Sequence, residues 1–210
     1  MKQKLDLDNW VRKDHFQFFN RFEEPFFGVT VSIDCTIAYQ KAKAAKQSFF
    51  LYYLHKSLLA ANAVEPFRYR IEGDEIMIYD EIHPSPTINR PDGTFGFAYM
   101  PFKVSFEDFV QESQKEIERV QTSTGLVPAG GSQNVIHYSS MPWLNFSAVS
   151  HARSFSFKDS CPKITFGKMV EEDERRTMSV AIHVHHALMD GYHVGQFVEI
   201  FQKLMNEGEL

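Results

Sequence analysis

Long apolar runs are missing from this sequence. None approaches the roughly 18 to 20 residues that a helix needs to cross a bilayer. The opening residues, MKQKLDLDNWVRKDHF, lack the apolar stretch and small-residue cleavage site of a signal peptide. A cytoplasmic protein with no membrane partner is expected. Cysteine is scarce: Cys35 and Cys161 stand far apart, in no CxxC or other metal-ligand spacing, which argues against a disulfide framework or a zinc knuckle. Both read as buried or neutral thiols. There is no long basic run, and a formal net charge of -5 leaves no electrostatic footprint for nucleic acid. There is no internal repeat, and the Gly/Ser-rich stretch PAGGSQN at 128 to 134 reads as a loop rather than a linker. The 210 residues, 43% hydrophobic with twenty phenylalanines, are expected to fold as one domain over 1–210.

Periodicity outlines the elements. Residues 67 to 80, FRYRIEGDEIMIYD, alternate around Glu72-Gly73-Asp74 as a hairpin does. Ser48 to Ala61 is an apolar run too long for an ordinary strand and free of Gly and Pro, so a buried helix is expected. A second helix runs from the N-cap candidate Ser105 to Val120, with Phe106, Phe109, Val110, Ile117 and Val120 on one side. TMSVAIHVH at 177 to 185 is rich in β-branched residues and reads as a strand, and Val194 to Met205 has helical spacing. Interspersed strands and helices predict an α/β or α+β layered fold.

HVHHALMDGYH at 183 to 193 therefore joins a strand to a helix. Alternation sends His183 and His185 to one face and His186, if the strand persists, to the other. Asp190-Gly191 is a turn signal before the final helix. A histidine at such a junction can be held by backbone contacts while its free nitrogen faces a cleft, as a general base requires. A carboxylate four residues on can orient the imidazole or brace the turn with a distant cation. Three readings follow from residue types alone: satisfied core histidines, a metal site built on the HxH pair, and a general base.

His185, His186, Asp190 and Gly191 form HHxxxDG, which resembles the active-site motif of chloramphenicol acetyltransferases and of dihydrolipoyl acyltransferase catalytic domains. NWVRKDHFQFF near the start, EIMIYDEIHP, SSMPWLNFS at 139 to 147, ITFGK at 164 to 168 and HHALMDGYHVG extend the resemblance to the chloramphenicol acetyltransferases over nearly the whole chain. It implies a mixed sheet flanked by helices, the CoA-dependent acyltransferase fold, in a homotrimer with active sites between subunits. It also implies direct acetyl transfer from acetyl-CoA to an acceptor hydroxyl, with no metal. His186 would be the base, Ser139 the oxyanion donor and Thr165 a helper through water, while Asp190 would pair with Arg12 as a structural tie.

For coenzyme A, the resemblance points to Lys168 and Trp143. The family's KFYP, whose lysine helps with the nucleotide, reads SFFL at 48 to 51, with Lys46 as a candidate substitute. The acceptor pocket would hold Phe19, Glu23 and Phe27, yet leucine is usual where Glu23 stands and cysteine where Pro25 stands. The family's TETFS reads DGTFG at 92 to 96. A carboxylate facing an apolar aromatic substrate is costly to desolvate unless paired. Either the local alignment shifts by a residue, or the acceptor is different, cationic or hydrogen-bonding. Two further readings are a metal-dependent hydrolase using His183, His185 and a third ligand, and a non-catalytic trimeric binding protein.

Overall fold

A computed structural model describes residues 1–126, 133–154 and 158–207. The elements in chain order are β1 (Lys2–Lys4), α1 (Lys13–Phe19), β2 (Phe26–Asp34), α2 (Thr36–Ala44), α3 (Phe49–Ala63), β3 (Tyr69–Glu72), β4 (Glu75–Tyr79), β5 (His83–Asn89), β6 (Phe95–Phe97), α4 (Phe106–Thr122), β7 (Val135–Ser140), β8 (Lys163–Glu172), β9 (Arg175–His185) and α5 (Gly191–Glu207). A six-stranded sheet runs in the order β2-β9-β8-β7-β5-β6, and a three-stranded sheet in the order β1-β4-β3. The larger sheet is mixed: β5 and β8 each pair parallel to β7, and its other pairings are antiparallel.

The expected elements form for the expected reasons. Gly73, at φ +62, turns β3 into β4. Ser48 caps α3 by accepting from the Leu51 amide at 3.4 Å, and Ser105 caps α4 by accepting from that of Asp108 at 3.3 Å. The final helix starts at Gly191, three residues ahead of the apolar repeat, because Asp190 caps it: its Oδ1 accepts from the Tyr192 amide at 3.1 Å. Residues 128–132 of the expected loop lie outside the described residues.

Alternation gives the six-stranded sheet two unlike faces. On one, Val29, Ile182, Ile164 and Tyr138 form a row across four strands, beside the row Val31, Val180, Phe166 and Ser140. This face packs with Leu54 and Leu58 of α3 and Phe197 and Phe201 of α5 into the main core. The opposite face is polar. One of its rows is Thr30, Ala181, Thr165 and Ser139, and the next is Gly28, His183, Lys163, His137 and Ser85. A smaller apolar cluster joins Phe16 of α1, Tyr69 and Ile76 of the hairpin, and Ala187 and Leu188 just after β9. It fixes the turn that follows His186 against α1.

Candidate active site

Strand β9 ends at His185, opposite Phe26 in β2. His186 adds one further bond beyond the ladder, donating its amide to the Pro25 carbonyl at 2.8 Å. The chain then turns tightly, with the Leu188 and Met189 amides both donating to the His185 carbonyl at 3.0 and 3.2 Å. That turn brings the Met189 carbonyl to 3.2 Å from His186 Nδ1. A carbonyl only accepts, so Nδ1 carries the proton and Nε2 keeps its lone pair. The half-buried ring is stacked on Phe19, with centroids 3.9 Å apart and planes 16° apart, and lies 4.6 Å from Phe27. Tautomer and orientation are both set, as a general base needs.

Asp190 does not orient the imidazole. It pairs with the largely buried Arg12, 178 residues away, and its other oxygen meets His193 Nδ1 at 2.9 Å. Burial alone would favour the neutral acid, but the Arg12 hydrogen bond and charge, with His193, hold Asp190 below the usual carboxylate range. Arg12 immediately precedes α1, which carries Phe19. One ion pair thus ties the ring's stacking partner to the turn that supplies its carbonyl.

Ser139 and Thr165 sit side by side in β7 and β8. Thr165 is fully buried, and its hydroxyl lies 3.4 Å from His151 Nε2. His151 stands edge-on to His183, with ring centroids 4.8 Å apart. Ser140 points the other way and meets the Tyr53 hydroxyl at 3.1 Å. His186 is not near this pair. At about 3.3 Å per residue and about 4.8 Å per strand, five residues from Ala181 and two strand steps separate His186 from Ser139 by roughly 19 Å within one chain.

Lys168 and Trp143 are both exposed, Lys168 within a β-bulge between Phe166 and Met169 and Trp143 in the loop bonded to it. The loop above the bulge is bonded to it at both ends: the Met141 amide donates to the Phe166 carbonyl at 2.8 Å and the Lys168 amide to the Leu144 carbonyl at 2.7 Å. Gly167 and Pro142, their neighbours, help line an apolar cavity of ≈ 430 Å³ together with Phe49, Phe50, Tyr53 and Ser140. Lys46 lies between α2 and α3, three residues before Phe49.

Of the expected acceptor residues, Phe19 and Phe27 hold the His186 ring. Glu23 instead lines a second cavity of ≈ 430 Å³, beside His185. Its wall includes Arg153 and Asp159, which sequence reasoning did not single out. Lys163 and His151 went unnoticed too, although Lys163 stands two residues before Thr165 on one strand and so shares its face. Lys163 is buried and bonded to Asp159, and Arg153 pairs with Glu24. The one grouping of three metal-ligand types among the described residues is His137, Asp159 and Cys161. It contains neither His183 nor His185, and the Lys163 ammonium already holds its carboxylate. The loop before β8 brings Cys161 there, which sequence spacing did not reveal.

The chain has counterparts in known proteins over nearly its whole length. The family model for chloramphenicol acetyltransferase matches residues 2–202. Chloramphenicol acetyltransferase 3 of Escherichia coli is 29% identical over 206 residues, covering 97% of this chain and 96% of that protein. A solved chloramphenicol acetyltransferase structure superposes with a TM-score of 0.90 at 32% identity, over 98% of this chain and all (100%) of the other. A probable dihydrolipoamide acetyltransferase from Listeria monocytogenes shares the fold at 15% identity, with a TM-score of 0.70 over 96% of this chain and 93% of its own. With residues 2–202 matched by the family model and the solved structure superposing over 98% of the chain, the chain belongs to the chloramphenicol acetyltransferase family and is an acyltransferase.

Proposed function

We propose that the chain transfers an acetyl group from acetyl-CoA to a hydroxyl of chloramphenicol or another small acceptor, as a cytoplasmic homotrimer of single-domain subunits. The observation that carries this is the His186 ring, whose Nδ1 is bonded to the Met189 carbonyl, leaving Nε2 free to accept a proton. In this reading Nε2 takes the acceptor's hydroxyl proton as the oxygen attacks the thioester carbonyl. The resulting oxyanion accepts a hydrogen bond from the Ser139 hydroxyl, a contact worth about 3 kcal/mol in the transition state. Thr165 assists through water. The tetrahedral intermediate then expels the CoA thiolate, which recovers the proton from the imidazolium. No acyl-enzyme is formed.

The apolar cavity at the start of α3 suits the pantetheine arm, and exposed Trp143 and Lys168 beside it offer a stacking surface and a cation to the nucleotide. The separation of roughly 19 Å between His186 and Ser139 within a chain supports assembly. A ring of subunits lets His186 of one chain meet Ser139 of the next.

The test is the initial rate of free CoA release from acetyl-CoA, with and without chloramphenicol, on the wild type and His186→Ala. Chloramphenicol-dependent release that drops at least about 10³-fold in the variant is expected. Near-wild-type release by the variant would remove His186 from the chemistry.

A further inference from the structure

The cavity beside the end of β9 carries a charge that the sequence pattern does not suggest. Its wall holds three cationic side chains, Arg21, Arg153 and Lys158, against two carboxylates, Glu23 and Asp159. The inner charges are partnered. Lys163 holds Asp159 from below, donating also to the Cys161 carbonyl at 3.2 Å, and Glu24 pairs with Arg153 while accepting the Phe26 amide at 3.0 Å. What remains at the mouth is Arg21, Lys158 and Glu23, all exposed. Two cations there stand against one carboxylate.

The wall residue Arg153 also stacks on an aromatic ring outside the lining. Phe26 has the Arg153 guanidinium 3.9 Å from its ring centre and the Lys163 ammonium at 4.5 Å. A neutral apolar ring entering the cavity would have to strip water from the exposed Arg21, Lys158 and Glu23 side chains with nothing to return for it. His185, 4% exposed, stands edge-on to Phe26. Burial, and after it the Arg153 charge, push its pKa down to about 4, so it is neutral at physiological pH and does not add to the positive charge.

We propose that this cavity binds an anionic group, a carboxylate or a phosphate, carried by the hydroxyl-bearing acceptor, and that Arg21 and Lys158 select for it. The assignment rests on the acetyl-transfer reading, because the cavity borders Pro25, whose carbonyl holds the His186 backbone. It reverses the expectation of a cationic acceptor that Glu23 alone had raised.

Calorimetric titration, with and without CoA, of three probes on one skeleton decides it: 4-(hydroxymethyl)benzoate, its methyl ester and 4-(hydroxymethyl)benzylamine. The carboxylate is expected to bind roughly tenfold tighter than the ester, by a margin that shrinks with added salt, and the amine weakest. In an Arg21→Glu, Lys158→Glu double variant, changed only at exposed positions, the carboxylate loses that advantage and the amine gains it. The proposal is overturned if the carboxylate fails to bind, if the ester or amine binds as tightly to the wild type, or if the advantage survives charge reversal. CoA release separates the two readings. His186-dependent release with chloramphenicol but no carboxylate preference would sink the anion site alone. A carboxylate preference with no His186-dependent release to any probe would sink the transfer reading and leave the site.

Discussion

Ser139 and Ser140 are neighbours in sequence, yet the pleat of β7 gives them opposite faces and opposite consequences. Ser139 lies on the polar face beside Thr165, whereas Ser140 meets the Tyr53 hydroxyl under the apolar cavity. Ser139→Ala is expected to lower kcat about 10²-fold with little change in either KM, the pattern of a contact made mainly in the transition state. Ser140→Ala should instead raise the KM for acetyl-CoA and cost about 1 kcal/mol of stability. Steady-state kinetics with thermal melts distinguish the two, and the reverse assignment would mean that β7 is one residue out of register. The buried histidines make a different prediction. His55 and His185 are held neutral down to about pH 4, chiefly by burial, while in the unfolded chain each takes up its proton near pH 6.5. Their contribution to stability is therefore constant above that pH and falls between about pH 6.5 and 4, by about 1.4 kcal/mol per pH unit for each ring. Denaturant midpoints across this window should show the slope in wild type and a shallower one in His55→Gln.

Elements were legible where one local signal decided them. Gly73 at positive φ, the serine caps of α3 and α4, and the apolar repeat of α5 all carry their geometry in a few residues. β5 was not legible, because Pro84 and Pro86 remove two amide donors and argue against a strand. Their carbonyls nonetheless accept from Met100 and Ala98, at 3.1 and 2.9 Å. β8 was visible only as the ITFGK match, since the bulge after Phe166 interrupts its alternation. The site divides in the same way: the motif exposed His186 and Asp190, but Arg153, Asp159 and Lys163 matter through contacts that no short window contains. The bulge yields its own prediction. A Cβ on Gly167 would lie 3.0 Å from both the Leu144 carbonyl and the Phe146 ring, so Gly167→Ala must displace the loop that carries Trp143. The KM for acetyl-CoA is expected to rise about tenfold, with the acceptor KM less affected. An unchanged KM for acetyl-CoA would detach that loop from donor binding.

At the scale of the whole molecule, the polar face of the six-stranded sheet holds Ser139, His186 follows the end of β9 two strands away, and no motion within a packed sheet closes the gap between them. The proposed reaction, with Ser139 as donor and His186 as base, then requires two chains, and two crippled chains should rescue one another. Take His186→Ala, which lacks the base, and Ser139→Ala, which lacks the donor, each purified and weakly active or inactive. After joint unfolding and refolding at equal amounts, subunits mix at random in a closed ring. A site with intact His186 from one chain and intact Ser139 from the next arises with a chance of about one in four. Activity should therefore recover to about a quarter of the wild-type value, although no chain in the mixture is wild type. Separately refolded controls, combined without unfolding, should stay near the sum of the parents. If both groups act from the same chain, mixing creates no intact site and the rate stays at the average of the two variants. Recovery in the co-refolded sample alone places each active site between subunits.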